Sequence, residues 1–312
     1  MRIGVVDIGT NSTRLLIAEI DEHGRIAELD RRSHVTRLGR GVDADGRLSE
    51  PAMHDTWQVV DEYRARMQEV GIDKAVALMT SAVRDATNGA AFAQSIRDRH
   101  GIAPMVLTGE QEARLTFAGA TTGTEDIGPV LVIDVGGGST ELVIGRAGRV
   151  HFHASTQLGV VRQGERYLEH DPPTTQELSA LQAEAKAIIG AAMPRSLDLP
   201  SLRGIAVAGT ATQAAAIDLG LVRYDPARVH GHTLTRAVLH AQLEHLRTLP
   251  LDERQRVRGV HPDRALVIVP GLAILLAALD AFRLHEVTVS EHDILLGAAI
   301  GLARPSPARA GS

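Results

Sequence analysis

Two segments of the chain share an arrangement of residues that could bind phosphate. Residues 5–17 read VVDIGTNSTRLLI, and residues 132–144, 127 positions later, read VIDVGGGSTELVI. In each copy an apolar run ends in Asp, small residues follow, and a second apolar run begins, which is typical of a β-hairpin. Glycine lets the backbone approach a ligand closely, and successive amides form an anion-binding concavity. The repeat therefore predicts two hairpin tips, on two similar domains, facing each other across a phosphate group.

The residues expected to bind phosphate are small or polar and belong to the two tips. They are Gly9, Thr10, Asn11, Ser12 and Arg14 in the first copy, and Gly136, Gly137, Gly138, Ser139 and Thr140 in the second. No Gly-x-x-x-x-Gly-Lys-Ser/Thr segment occurs, which excludes a P-loop. A purely structural turn remains an alternative for either hairpin alone, but it is disfavoured for the matched pair.

Three carboxylates of the repeat are candidate metal ligands. Asp7 and Asp134 end apolar strands, where a carboxylate is costly to bury unless it is paired or bound to a metal. Mg²⁺, or another divalent cation, suits such a site because it binds few protein carboxylates and keeps waters and phosphate oxygens. Glu141 takes the place of Arg14 in the second copy, so one tip offers a cation and the other a carboxylate for water or metal. Turn-capping aspartates and a solvent-facing Glu141 remain the alternatives.

The composition limits the class of protein. At 312 residues the chain is long enough for two domains, and 44% apolar and 23% charged residues are ordinary for a globular protein. The net charge of −5 argues against a nucleic-acid or membrane-surface partner, and the absence of cysteine excludes disulfides and thiolate chemistry. The longest apolar stretch, residues 265–278, is shorter than the roughly 20 residues of a membrane span. No room is left for a signal peptide, so a cytoplasmic location is expected.

Hydrophobic periodicity places the candidate residues on an alternation of strands and helices. The first half is predicted to contain strands near 3–7, 14–20, 26–37, 75–79 and 104–107, and helices near 50–70, 88–99 and 110–121. The second half is predicted to contain strands near 130–134, 140–145, 149–155, 204–208 and 286–289, and helices ending near 168 and 191 and spanning 235–248, 263–282 and 292–302. This order predicts α/β domains at 1–125 and 126–303, with the last helix able to pack on the first domain, and a flexible tail at 304–312.

Five motifs together resemble the exopolyphosphatase/guanosine-pentaphosphate phosphatase family of the acetate and sugar kinase/Hsp70/actin superfamily. They are DIGTNSTR at 7–14, TSAVRD at 80–85, TGEQEAR at 108–114, DVGGGSTE at 134–141 and VAGT at 207–210. The resemblance covers essentially the whole chain and implies two ribonuclease H-like (actin-like ATPase) domains facing across a cleft. Long members of the family add C-terminal helical domains that nothing here matches, so a short, two-domain form is expected.

The resemblance also implies roles for single residues. Glu112 stands where the family has its proposed catalytic base, and Arg84 resembles an arginine that reaches the phosphate, a contact that suits a planar guanidinium. Gly209 and Thr210 match the adenosine motif of the related kinases and are expected to contact distal phosphates or a guanosine. Arg14 and Arg84 are the preferred arginines for phosphate contact, and Arg264 is a third, weaker candidate. The alternatives are a helix-dipole carboxylate for Glu112, a plain turn at Gly209 and surface salt bridges for the arginines.

The leading hypothesis is a hydrolase that removes the terminal phosphate from linear polyphosphate, preferably from short chains. Glu112 and Glu141 would orient and deprotonate water, while Mg²⁺ and the arginines stabilise the transferring phosphoryl group. The alternatives are a guanosine pentaphosphate 5′-phosphohydrolase, a phosphotransferase acting on ADP, and a non-catalytic polyphosphate or alarmone sensor. Homodimers occur in the family, so a homodimer is possible. His292 and Asp293 are interpreted as a surface or helix-cap pair.

Overall fold

The structure is a computed structural model that describes residues 1–123, 128–194 and 202–304. Within these residues the strands form two mixed sheets. The first sheet has the order β3-β2-β1-β4-β5, with β1 and β2 antiparallel and β1, β4 and β5 parallel. Its strands are β1 (Arg2–Ile8), β2 (Thr13–Ile20), β3 (Ile26–His34), β4 (Lys74–Met79) and β5 (Ala103–Val106).

The second sheet repeats this plan and adds one edge strand. Its strands are β6 (Val130–Val135), β7 (Thr140–Arg146), β8 (Arg149–Thr156), β9 (Arg203–Val207), β10 (Thr233–Thr235) and β11 (Glu286–Val289). The order β8-β7-β6-β9-β11 matches that of the first sheet, and β10 pairs antiparallel with β11 at the edge. The repeated strand order confirms the predicted α/β class with two ribonuclease H-like halves.

The helices cover the faces of the two sheets. They are α1 (Val42–Asp45), α2 (Glu50–Val70), α3 (Ser81–Asp85), α4 (Gly89–His100), α5 (Gly109–Ala120), α6 (Val160–Tyr167), α7 (Thr175–Ala192), α8 (Ala208–Asp218), α9 (Pro226–Val229), α10 (Arg236–Leu246), α11 (Leu251–Arg254), α12 (Ile268–Ala281) and α13 (Ile294–Ala303). Capping boxes at Thr108 and Thr174 begin α5 and α7. In the part of the chain that is described, no helix is both long and apolar enough to cross a membrane.

Some predicted elements differ from the observed ones. The helix predicted at 263–282 begins at Ile268, because Pro262 starts a separate 3₁₀ turn before it. The plain turn considered at Gly209 is instead part of the first turn of α8, since Ala208 adopts a left-handed conformation that joins strand directly to helix. The predicted boundary between residues 125 and 126, and the tail beyond residue 304, lie outside the described residues.

The chain crosses between the two sheets twice. Helix α5 follows β5 of the first sheet, yet Ala113 and Phe117 of α5 are buried with Val132 and Val143 of the second sheet. Helix α13 follows β11 of the second sheet, yet its apolar residues are buried against β1, β2 and β4 of the first sheet. We propose that each sheet with its covering helices is one domain, and that α5 and α13 connect the two.

Helices α5 and α13 meet with their backbones in contact. A Cβ atom at Gly119 of α5 would overlap the carbonyl group of Asp293, and a Cβ atom at Gly297 of α13 would overlap the carbonyl group of Leu115. Backbone atoms cannot move aside as a flexible side chain can. Glycine is therefore required at both positions of this crossing.

We expect the Gly297→Ala substitution to destabilise the protein, because the added methyl group meets backbone rather than open space. Overpacking of this kind costs about 1–3 kcal/mol, which would lower the thermal midpoint by several degrees. Gly301→Ala is the matched control on the same helix, since nothing lies within 4 Å of a Cβ atom there. Thermal unfolding compares them, and equal midpoints for the two variants would contradict the proposed close contact.

Candidate active site

The two repeated segments form hairpins with the same closure. An amide donates to a carbonyl oxygen 3.0 Å away across each turn, from Gly9 to Ser12 in the first and from Gly136 to Ser139 in the second. The residues inside each turn lie beyond the last pair of the strand ladder. Their amides are therefore free of the ladder and can face an anion between the tips.

The two tips lie against each other. A Cβ atom at Gly137 would lie 2.8 Å from the Cβ of Thr10 and 2.9 Å from the amide nitrogen of Asn11, and one at Gly138 would lie 2.5 Å from the hydroxyl of Ser81. The Thr10 hydroxyl is itself 2.8 Å from the Ser81 hydroxyl. The second glycine of the triplet is thus required by the close approach of the first tip, and the third by the close approach of Ser81 and Thr10.

A small cavity of about 100 Å³ lies between the tips. Its volume suits a small polar group rather than a long chain. Most of the residues predicted from the sequence line it. They are Asp7, Gly9, Thr10, Asn11, Ser12, Arg14, Glu112, Asp134, Gly136, Gly137, Ser139, Gly209, Thr210 and Arg264.

Four predicted residues do not line the cavity. Gly138 packs on Ser81, and the buried Thr140 hydroxyl donates to the carbonyl oxygen of Leu158. Glu141 is buried, and its carboxylate accepts a hydrogen bond of 2.8 Å from Ser155. Arg84 reaches Glu112 instead of the cavity.

Glu112 is a buried carboxylate that lines the cavity. It lies in the first turn of α5, with its side chain 8% exposed, and Nη1 of Arg84 donates to Oε2 over 3.0 Å. The same Nη1 donates to the carbonyl oxygen of Leu107 over 2.9 Å, which fixes the guanidinium. Burial raises the pKa of Glu112 to about 7, although the Arg84 charge opposes the rise. A carboxylate with this pKa can act as a base near neutral pH.

Arg14 is bound by carboxylates from two parts of the chain. Its Nε and Nη2 donate to Oδ2 of Asp7 over 2.9 and 2.6 Å, and its Nη1 donates to Oδ2 of Asp293. Burial alone would lower the pKa of Arg14, but the charges of Asp293 and Asp7 outweigh it and raise that pKa. Arg14 therefore stays charged at the edge of the cavity.

The remaining carboxylates lie in a strongly acidic environment. Burial raises the pKa of Asp134 to about 7, and burial with the charges of Glu112 and Asp134 raises the pKa of Glu141 well above its usual range. Burial also raises the pKa of Asp7, despite the opposing charge of Arg14. Neighbouring negative charges disfavour ionisation of all these carboxylates at once. Additional positive charge would therefore stabilise their ionised forms.

The donor atoms fit a divalent cation bound mainly through waters and substrate oxygens. Among the described residues, no three His, Asp or Glu side chains are close enough to form a complete metal site. Oδ1 of Asp7 is nevertheless buried without a hydrogen-bond partner in that part of the chain, while Oδ2 binds Arg14. Asp7 and Asp134 both line the cavity, and Mg²⁺ characteristically uses one or two carboxylates beside phosphate. Glu141 does not line the cavity, although it was expected to be a ligand.

A wide groove of about 1040 Å³ continues from the cavity past Arg14, Gly209 and Arg264. The Arg264 guanidinium lies directly over Gly209, where a side chain would overlap it, and extends to within 3.4 Å of the Ser33 hydroxyl on β3. Among the described residues that line the groove, the acidic ones outnumber the arginines. The acidic residues are Glu28, Asp30, Asp55, Asp263, Glu291 and Asp293, and the arginines are Arg14, Arg31, Arg32 and Arg264.

Asp293 is a site residue that the sequence did not reveal. It caps α13, since its Oδ1 accepts from the Leu295 amide over 3.0 Å, but it is only 3% exposed and binds Arg14. An Asp before an apolar helix indicates a cap, and nothing local indicates a partner 279 residues away. Ser81 was also missed as a lining residue, although the TSAVRD motif contained it.

Comparison with known proteins gives one consistent result. Residues 16–297 match the Ppx/GppA phosphatase family. Exopolyphosphatase 2 of Mycobacterium tuberculosis is 34% identical over 316 residues, covering 97% of this chain and 98% of its own. The crystal structure of the Aquifex aeolicus member of the family is 31% identical, with a TM-score of 0.81 and 97% of both chains covered.

A second solved structure shares the fold. The exopolyphosphatase of Cytophaga hutchinsonii is 24% identical, with a TM-score of 0.87 and 97% of both chains covered. The family match spans most of the chain, and the relative from Mycobacterium tuberculosis is similar over almost its full length. This protein belongs to the Ppx/GppA phosphatase family.

Proposed function

We propose that the protein is an exopolyphosphatase, which hydrolyses the terminal phosphoanhydride bond of linear polyphosphate and releases orthophosphate. The observation that carries the proposal is the buried Glu112, held by Arg84 at a small cavity between two glycine-containing hairpin tips. The similarity to exopolyphosphatase 2 of Mycobacterium tuberculosis supports the choice of polyphosphate as substrate.

In the proposed reaction the terminal phosphoryl group lies between the tips. Amides and hydroxyls of the tips, including the hydroxyls of Thr10 and Ser12, donate to its oxygens. Glu112 takes a proton from a water molecule, and the water oxygen forms a bond to the terminal phosphorus. The bond from that phosphorus to the bridging oxygen breaks, and the shortened chain leaves with the electron pair. Arg14 stabilises the charge on the transferring group.

The acidic cavity is the reason to expect a cation in the active enzyme. A polyanion entering among the carboxylates of Asp7, Glu112 and Asp134 would meet like charge, which the guanidinium groups of Arg14 and Arg264 offset only in part. Mg²⁺ or another divalent cation, held by Asp7 and Asp134, would supply positive charge that stabilises the phosphate oxygens. The buried Oδ1 of Asp7, which has no hydrogen-bond partner among the described residues, supports this assignment.

The charge of the groove supports a preference for short chains. A long polyphosphate extending from the cavity past Arg264 would run along a surface with more carboxylates than guanidinium groups. Such a surface repels a polyanion. A chain of a few phosphates extends only a short way into the groove.

A cytoplasmic location, a homodimer and the absence of nucleic-acid partners remain predictions.

Orthophosphate release tests the substrate. We expect Mg²⁺-dependent release from chains of a few phosphates, slower turnover of chains of hundreds, and little release from guanosine pentaphosphate. The three substrates should be compared at equal concentrations of terminal phosphate, with and without Mg²⁺. Faster turnover of the long chains would contradict the short-chain preference. A higher kcat/KM for guanosine pentaphosphate than for polyphosphate would show that guanosine pentaphosphate is the main substrate.

We expect Glu112→Gln to reduce kcat by about 10²-fold or more, because the amide cannot accept the proton from water. Binding of polyphosphate should persist, and equilibrium binding of a labelled short chain measures it. Glu110→Gln is the matched control, since Glu110 lies in the same turn but is exposed and paired with Arg114. A Glu112→Gln variant with the same kcat as the Glu110→Gln control would exclude Glu112 as the base.

The pKa of Glu112 predicts the acid limb of the pH profile. The base must be ionised, and burial raises its pKa to about 7, so kcat/KM should rise between about pH 6 and 8 instead of near pH 4.5. Asp134 titrates in the same range, so the limb belongs to the coupled groups. Arg84→Gln removes a charge that lowers the Glu112 pKa and should move the limb to higher pH. An unmoved limb in that variant would assign the titration to another group.

A further inference from the structure

Asp293 joins the end of the second sheet to the cation of the first hairpin. It lies four residues after β11 and is the N-cap of α13, the helix that covers the first sheet. One of its carboxylate oxygens accepts from the Leu295 amide, and the other accepts from Nη1 of Arg14. Both oxygens of a buried side chain are thus used, one for the helix and one for the site.

The backbone of Asp293 is also held in place. Its carbonyl group lies against Gly119 of α5, so closely that no side chain fits between them. Helix α5 carries Glu112 in its first turn. The position of the Asp293 carboxylate is therefore fixed relative to both Arg14 and the helix of the proposed base.

Arg14 needs this second contact to keep one orientation. Its Nε and Nη2 both donate to the same oxygen of Asp7, so the guanidinium can pivot about that single acceptor. A bond at Nη1 to an acceptor on a different element removes the pivoting motion. A fixed guanidinium stabilises developing charge better than a mobile one, because no reorganisation is needed during the reaction.

We propose that Asp293 is a positioning residue, which holds Nη1 of Arg14 so that the guanidinium keeps a fixed orientation at the cavity. The inference rests on the proposed function, in which Arg14 stabilises the transferring phosphoryl group. Asp293 acts through Arg14 and does not itself touch the substrate.

Asp293→Asn separates this role from helix capping. Asn caps helices about as well as Asp, so its side-chain oxygen can still accept from Leu295, while the charge that binds Arg14 is lost. We expect kcat on a short polyphosphate to fall about tenfold or more, with a smaller change in KM and a thermal midpoint within a few degrees of the parent protein. Asp225→Asn, at the cap of α9, is the matched control and should leave kcat unchanged.

A second background tests whether the effect passes through Arg14. Arg14→Lys keeps a positive charge but loses the planar set of donors that binds both carboxylates. In that background Asp293→Asn should lower kcat by less than about threefold, because the contact it removes is already lost. Equal losses in both backgrounds, or an unchanged kcat in Asp293→Asn alone, would overturn the inference.

The same set of variants separates this inference from the proposed function. A large loss in Arg14→Lys with none in Asp293→Asn rejects the positioning role alone. A parental kcat in Arg14→Gln, which removes the positive charge, rejects the role of Arg14 in the proposed mechanism. Asp293→Ala, which removes the cap as well as the charge, should lower the thermal midpoint further than Asp293→Asn does.

Discussion

The crossing of α5 and α13 at Gly119 and Gly297 is the constraint on which the site depends. At this crossing each helix lies against a carbonyl group of the other, so their separation is set by backbone atoms. Helix α5 is buried on the second sheet and carries Glu112, whereas α13 is buried on the first sheet and begins at Asp293. One contact thereby relates the two sheets, the proposed base and the carboxylate that binds Arg14.

The electrostatics of the site follow from burial at this junction. Carboxylates removed from water are costly unless they are paired, and the pairs Arg14 with Asp7 and Arg84 with Glu112 compensate only part of the charge. Burial raises the pKa values of Glu112 and Asp134 to about 7, and the charges of neighbouring carboxylates add a smaller contribution. The same conditions suit catalysis, because a base with a pKa near 7 works at neutral pH and a site short of positive charge favours a bound cation.

Contacts outside the helix crossing bring the hairpin tips together. Arg162 of α6 donates to the carbonyl oxygen of Gly138 over 3.0 Å, and it pairs with Asp85, at 2.8 Å, and with Asp43 beyond the first tip. With the tips in contact, the cavity between them is small and continues into the wide groove lined by Arg264. The size of the cavity and the charge of the groove together support the proposed preference for short chains.

The sequence determined the parts that local pattern encodes. The repeat around Asp7 and Asp134 gave the two hairpins, and periodicity gave most strands and helices, since both depend on neighbours a few residues apart. Only the tertiary structure decided which side chains meet: Arg14 with Asp293, 279 residues away, and Arg84 with Glu112, 28 residues away. The tertiary structure also shows that Glu141 and Thr140, both predicted site residues, do not line the cavity. Such contacts depend on how the helices pack between the two sheets, and local hydrophobic periodicity does not predict that packing.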